Sequence, residues 1–315
     1  MWWLGWKWAS ALTKPKAVEG HSDRLTGWQS THTIQQTVDE VPQMKMFRHL
    51  AVVVAVLAFG ASAVASQDFE KGLAAAGSGD FETALKEWLP LAESGDPSAQ
   101  FNIGLMYEAG QGVPQNDAEA VKWYRLAADQ GEPSAQYNLG VMYEYGKGVP
   151  LSYDEAIRLY HLAAQQDISD AQYNLGVMYN DGIGVEQDYA EAAKWYLLAA
   201  NKGDGGAMFN LGVLYDTGSG VAKDRGEAIK WYRWAAGNLL AEAQINLGVI
   251  YSEDNGEFEN QTLAMMWLIV ATQNGAELGS DYQKIVSAKM TAADISKAQS
   301  MASECISSGY ASCGD

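Results

Sequence analysis

Residues 134–169 read SAQYNLGVMYEYGKGVPLSYDEAIRLYHLAAQQDIS, and residues 170–205 read DAQYNLGVMYNDGIGVEQDYAEAAKWYLLAANKGDG. The two stretches align over 36 residues without a gap, and the same columns extend in both directions. Ala99, Ala135, Ala171, Ala207 and Ala243 stand 36 apart, as do Asn102, Asn138, Asn174, Asn210 and Asn246. Gly104, Gly140, Gly176, Gly212 and Gly248 form a third column, and Tyr107, Tyr143, Tyr179, Tyr215 and Tyr251 a fourth. A second block follows each first block, with Trp123, Leu159, Trp195, Trp231 and Trp267 beside Tyr124, Tyr160, Tyr196, Tyr232 and Leu268. A fixed period of this length is the mark of a repeat architecture.

Each block has a helical pattern. Ala135, Leu139 and Tyr143 recur at i, i+4 and i+8, one face of a helix, and the small Ala and Gly in that face admit a close neighbour. In the second block Ala156, Leu159-Tyr160 and Ala163-Ala164 recur at threes and fours. Asn116, Ser152, Asp188, Asp224 and Asn260 are good N-caps for the second helix, and Glu119, Glu155, Glu191 and Glu227 stand three residues on. That spacing predicts a capping box, in which the glutamate reaches back to the cap amide; only the fifth copy, with Leu263, departs from it. Between the helices runs a Gly-x-Gly-Val element at Gly110, Gly146, Gly182 and Gly218. It ends a helix, whereas a phosphate-binding loop follows a strand and opens into a helix, so the glycines are read as turn residues.

The expected organisation is an opening, shorter repeat at 66–97, five repeats at 98–133, 134–169, 170–205, 206–241 and 242–277, and a closing segment at 278–315. In that segment Thr291 and Asp294 predict a helix start, and Ile295, Ala298, Met301, Ala302 and Cys305 an apolar face. Residues 44–65, MKMFRHLAVVVAVLAFGASAVA, have the basic, apolar and A-x-A regions of a signal peptide, with cleavage expected after Ala65. The 43 residues before it have no periodicity and are read as an upstream extension that is not native or is disordered. The apolar run is short for a membrane span, so no membrane insertion is expected after cleavage.

Formal net charge is −18; residues 1–65 contribute +2, which leaves −20 for 66–315. Such a surface repels nucleic acid and anionic lipid. The two cysteines, Cys305 and Cys313, lie eight positions apart in a chain read as exported, so a disulfide between them is expected. No nucleophile elbow, S-x-x-K motif or HExxH motif occurs, and after signal removal one histidine is left, His161, at a position held by Arg125, Leu197 and Arg233 elsewhere. No catalytic residue, metal or cofactor is assigned.

The motif A-Q-x-N-L-G-x-M-Y-x-x-G-x-G-V…D-x-x-E-A-x-K-W-Y-x-x-A-A-x-x-G resembles the Sel-one-like repeat, a relative of the tetratricopeptide repeat, over residues 98–277. Residues 68–97 look more like a tetratricopeptide unit. The resemblance implies an all-α fold, a right-handed α-solenoid of stacked antiparallel helix pairs, and an adaptor or scaffold role. One secreted, cysteine-rich branch of the family is associated with β-lactam binding; its repeats each carry a paired cysteine, and none of these five repeats contains one.

By that resemblance first-helix residues line a concave face. The candidate binding residues are Tyr137, Asn138, Glu144, Tyr173, Asn174, Asn180, Phe209, Asn210 and Asp216, offering aromatic anchors, amides and charge to an extended protein segment or peptide of basic character. Asparagine is a poor helix-interior residue, so five in register need a reason. Either the amide bonds a ligand backbone, or it bonds a neighbouring part of the repeat. The function expected is an exported, monomeric, non-enzymatic interaction scaffold, periplasmic or secreted. The alternative is a cell-wall-fragment- or β-lactam-binding accessory or weak hydrolase.

Overall fold

The computed structural model describes residues 68–253, 256–257, 259–310 and 313. The signal sequence expected at 44–65, its cleavage point after Ala65 and the segment 1–43 lie outside the described residues. Two compact units are present, the first ending at Glu132 and the second beginning at Pro133. Every described element is helical. None of these helices is long and apolar enough to cross a membrane.

The first unit holds α1 (68–77), α2 (Phe81–Glu93), α3 (Pro97–Ala109) and α4 (Asp117–Asp129). The second holds α5 (Pro133–Tyr145), α6 (Tyr153–Gln165), α7 (Ser169–Asp181), α8 (Tyr189–Ala200), α9 (Gly205–Thr217), α10 (Arg225–Gly237), α11 (Ala241–Ser252), α12 (Gln261–Gln273), α13 (Gly279–Ser287) and α14 (Ala292–Ser307). Helices pack in chain order: α3 on α4 in the first unit, and α5 on α6, α6 on α7 and so on to α12 in the second. Within each unit helices thus pack on their neighbours in sequence, the arrangement of an α-solenoid.

The helix pair is fixed by one backbone bond repeated five times. The amide of the second helix's N-cap donates to the carbonyl of the tyrosine near the end of the first helix, from Asn116 to Tyr107 (2.9 Å), Ser152 to Tyr143 (3.0 Å), Asp188 to Tyr179 (2.9 Å), Asp224 to Tyr215 (2.9 Å) and Asn260 to Tyr251 (2.8 Å). The loop is pinned at constant width, and the second helix returns antiparallel along the first. Close approach follows from the glycine column. A Cβ on Gly176 would lie 2.5 Å from the Tyr196 ring, and one on Gly212 2.6 Å from the Tyr232 ring. The opening pair uses the same device with another aromatic: Trp88 fills the space beside Gly72 and donates from its indole Nε1 to the Phe69 carbonyl (3.2 Å).

The cap residues act as expected, but the capping box does not close in the repeats. Asn116, Ser152, Asp188 and Asp224 accept from the amides of the first turn. The glutamates three residues on turn the other way, pairing with Lys122, Arg158, Lys194 and Lys230 one turn further along. A cation at i+3 competes better for an exposed carboxylate than a neutral amide does. The reciprocal box forms once among the described helices, at Thr291 and Asp294 on α14.

The closing segment contains two helices where one was expected. Both α13 and α14 pack on α12, whose Met265, Met266, Trp267 and Val270 are all buried. Ala298, Ala302 and Cys305 of α14 join that core. A disulfide links Cys305 to Cys313 across a Cα separation of 4.6 Å. The Cys313 carbonyl accepts from Arg233 of α10 (2.7 Å), and the Tyr310 hydroxyl donates to Asn274 after α12 (3.0 Å).

Candidate functional site: the first-helix columns

The second helices of the first four repeats each present one wholly buried tyrosine, Tyr124, Tyr160, Tyr196 or Tyr232. The candidate columns converge on these four rings. Phe101, Tyr137, Tyr173 and Phe209 of the first helices lean against the tyrosine of their own repeat, with ring centroids 5.8 to 6.0 Å apart. These first-helix aromatics are half-buried. The acidic column meets the hydroxyls: Tyr124 donates to Glu108 (2.6 Å) and Tyr160 to Glu144 (2.5 Å).

The asparagines approach from the following repeat. Asn174 stands beside the Tyr137 and Tyr160 hydroxyls, Asn210 beside that of Tyr196 and Asn246 beside that of Tyr232, each amide favouring the ionised phenol against burial. Asn102 donates to the Ser98 carbonyl (2.9 Å). Asn138 sits half-buried at the same position of α5. In the third and fourth repeats the acidic column is spent differently. Asn180 donates to Asp181 (2.6 Å), and Asp216 pairs with Arg225 (3.2 Å), which also pairs with Glu253. The structure thus brings the aromatic column to a buried tyrosine in the first four repeats, and the acidic column to it in the first two.

Burial dominates the electrostatics of these tyrosines. It raises the Tyr160 hydroxyl far above the ordinary phenol range, with the Glu144 carboxylate and its hydrogen bond pushing the same way. Burial raises Tyr137 and Tyr196 too, and pushes Tyr232 up to about 12. These hydroxyls stay protonated at neutral pH, so each can donate to a carboxylate while accepting from an amide. His161 packs edge-on against Trp195 (5.2 Å) and Tyr179 (6.4 Å), and burial lowers its pKa. No cluster of three or more metal-ligating side chains occurs among the described residues.

A second polar column escaped the sequence reading. Gln100, Gln172 and Gln244 are buried, and each donates to the carbonyl that ends the preceding second helix, on Ala92 (3.0 Å), Ala164 (3.1 Å) and Ala236 (3.2 Å). The side-chain oxygens of Gln100, Gln136 and Gln244 accept from Gln130 (2.8 Å), Gln166 (2.9 Å) and Asn274 (3.0 Å). The signal was available as an Ala-Gln pair recurring every 36 residues, broken by Met208. It was missed because a glutamine beside a small helical residue reads as solvent-facing until its partner helix end is known.

The Sel1 repeat matches residues 97–132, 133–168, 169–204, 206–237 and 241–275, more than half of the chain. A Sel1 repeat protein from Oxalobacter formigenes is 35% identical, with a TM-score of 0.62 over 75% of this chain and 99% of that one. A protective antigen present in uropathogenic Escherichia coli strains, displaying an SLR fold, is 25% identical over 78% of this chain and 70% of that one, with a TM-score of 0.37. A putative Sel1 repeat protein from Klebsiella pneumoniae is 21% identical over 64% of this chain and 98% of that one, with a TM-score of 0.40. A comparison with curated proteins gives no match.

Proposed function

The chain belongs to the Sel1-repeat family, and from that premise we propose that it is an exported, non-catalytic scaffold that holds a partner protein or peptide against its first-helix face. Sel1 repeats generally serve as protein-interaction scaffolds. The observation that carries the reading is the division of labour among side chains. The buried tyrosines and glutamines recur from repeat to repeat and are spent on joints between helices. The half-buried aromatics Tyr137, Tyr173 and Phe209 remain beside them as rigid, amphipathic anchors of the kind interfaces favour.

The proposed face comprises Tyr137, Asn138, Glu144, Tyr173, Asn174, Asn180, Phe209, Asn210 and Asp216. The acidic balance of residues 66–315 favours a basic partner, steered by charge and released by salt. A photo-crosslinking residue placed at Tyr173 or Phe209 in the intact cell should yield a discrete protein adduct. No adduct from either position would sink the scaffold reading. Asn174→Ala removes an amide that stands beside two tyrosine hydroxyls and should lower stability by about 1 kcal/mol. A fall in affinity for the crosslinked partner beyond that unfolding explains would assign the amide to the ligand as well.

Export is proposed from the n-, h- and A-x-A regions of residues 44–65. Mass spectrometry of the protein from its native source should find Ser66 as the first residue. Recovery of a mature chain that still carries residues 1–43 would overturn both the export signal and its late start.

A further inference from the structure

Side chains that recur every 36 residues build the scaffold; an exposed side chain that departs from its column serves something the scaffold does not need. The second repeat holds two such departures at one end, beside a third exposed apolar side chain. Tyr145 replaces Ala109, Asp181 and Thr217 of the sister repeats, and Leu151 replaces Gln115, Gln187 and Lys223. Tyr153 stands where the neighbouring repeats have Asp117, Tyr189 and Arg225. Tyr145 is 63% exposed, Leu151 55% and Tyr153 37%.

Leu151 is the informative member. Its Cβ lies 3.2 Å from where a Cβ on Gly146 would be, as Gln115 lies 3.1 Å from that of Gly110 and Gln187 3.4 Å from that of Gly182. The backbone position is therefore the same in all three. In the sister repeats the glutamine folds back and donates to the last turn of the first helix, from Gln115 to the Glu108 carbonyl (3.0 Å) and from Gln187 to the Asn180 carbonyl (2.7 Å). Leucine has nothing to donate. The second repeat gives up a helix-end hydrogen bond and exposes an isobutyl group instead, two losses for stability with no gain in packing.

The surroundings state the chemistry of what would cover it. Asp154 follows Tyr153 directly and is exposed. The next repeat's loop presses on Tyr153, whose Cβ is 2.4 Å from where a Cβ on Gly184 would be. That loop brings the exposed acids Asp181, Glu186 and Asp188. Lys147 is the one cation in the two loops. Two phenol faces and an aliphatic side chain ringed by carboxylates fit a guanidinium, which stacks on aromatic rings and pairs with carboxylates in one plane. A second copy of this chain would bring its own −18 charge to the same place and be repelled.

We propose that Tyr145, Leu151 and Tyr153 form a docking hot spot for an arginine of a basic, partly apolar segment on the partner protein. This rests on the scaffold reading and adds a specific contact to it. The probe is the peptide acetyl-Leu-Arg-Leu-Arg-Leu-amide, titrated calorimetrically into the full chain beside its lysine and glutamate counterparts. The arginine peptide should bind best and the glutamate peptide not at all. Tyr145→Ala combined with Tyr153→Ala should weaken the arginine peptide about tenfold or more. Leu151→Gln restores the sister repeats' hydrogen bond, so its melting temperature should hold or rise while affinity falls about fivefold.

A lower melting temperature for Leu151→Gln would return that leucine to the scaffold and overturn the proposal. So would an arginine peptide that fails to bind, or one that binds all these variants equally. Tyr173→Ser provides the separation from the broader reading. If only that variant loses the peptide, the hot spot is wrong and the first-helix face stands. If the peptide fails but crosslinks form at Tyr173, the scaffold likewise survives without this contact.

Discussion

Gly220→Ala should destabilise the protein by about 3 kcal/mol, from one methyl group on an exposed loop. Gly220 has φ +68°, where an L side chain costs roughly 1–2 kcal/mol. Its added Cβ would lie 2.3 Å from the carbonyl carbon of Tyr189 and 2.4 Å from the amide nitrogen of Ala190. Those are backbone atoms at the start of α8, in the preceding repeat, and they cannot rotate away. Relief of the overlap must move one helix pair against the next, which adds about 1–3 kcal/mol. Because a stacked array gains much of its stability from neighbour interfaces, hydrogen exchange should rise in α8, α9 and α10 before it rises elsewhere. Gly237→Ala is the control. No atom lies within 4 Å of its Cβ position, so alanine there should be neutral or stabilising by up to about 1 kcal/mol. Urea denaturation of the two variants beside the parent decides it; equal midpoints would show that the loop does not lock the repeats together.

Tyr160→Ala should cost about 4 kcal/mol or more, the largest loss expected of any single truncation in the second and third repeats. The ring is wholly buried among Ala156, Ala163, Leu175 and Met178, so its removal leaves a cavity comparable to those that cost about 3–5 kcal/mol for other aromatics. The hydroxyl adds to this, since it donates to Glu144. Tyr160→Phe separates the two contributions. It keeps the packing and strands the Glu144 carboxylate, which should cost about 1–2 kcal/mol. A Phe variant as damaging as the Ala variant would place the weight on the hydrogen bond; one with no effect would mean that water replaces the hydroxyl at Glu144.

The fold was legible because every determinant of it repeats. One helix's amphipathic pattern is weak evidence, but five copies in register remove the noise, and the Gly-x-Gly-Val element between Asp181 and Asp188 marks the exit of one helix as clearly as Asp188 marks the entry of the next. The closing helix α14 could be read the same way, from Thr291, Asp294 and the apolar ladder to Cys305. The shorter α13 could not. Its nine residues are flanked by Leu278 and Ala288, which give no side-chain cap, and its polar ladder suits a loop as well as a helix.

The candidate site was legible as a set of columns and illegible as a set of partners. Sequence alone placed Tyr137, Asn138, Glu144 and their equivalents on the first helix, because helical spacing is a local property. It left open what the asparagines face, because the answer lies in another repeat: the hydroxyl of Tyr160 stands fourteen residues before Asn174 and comes beside it only when helix pairs stack. For the same reason Glu119 and its equivalents were assigned to a capping box that only the local geometry of a nearby cation could refuse. What the sequence by itself determined about this protein is the helix pair, its caps, its turn and its period, since each depends on residues within a few positions of one another. Only the tertiary structure decided which polar groups are consumed in holding repeats together and which exposed side chains, Tyr145 and Leu151 among them, are left over, because a hydrogen bond or a buried surface between repeats exists only once the repeats are packed.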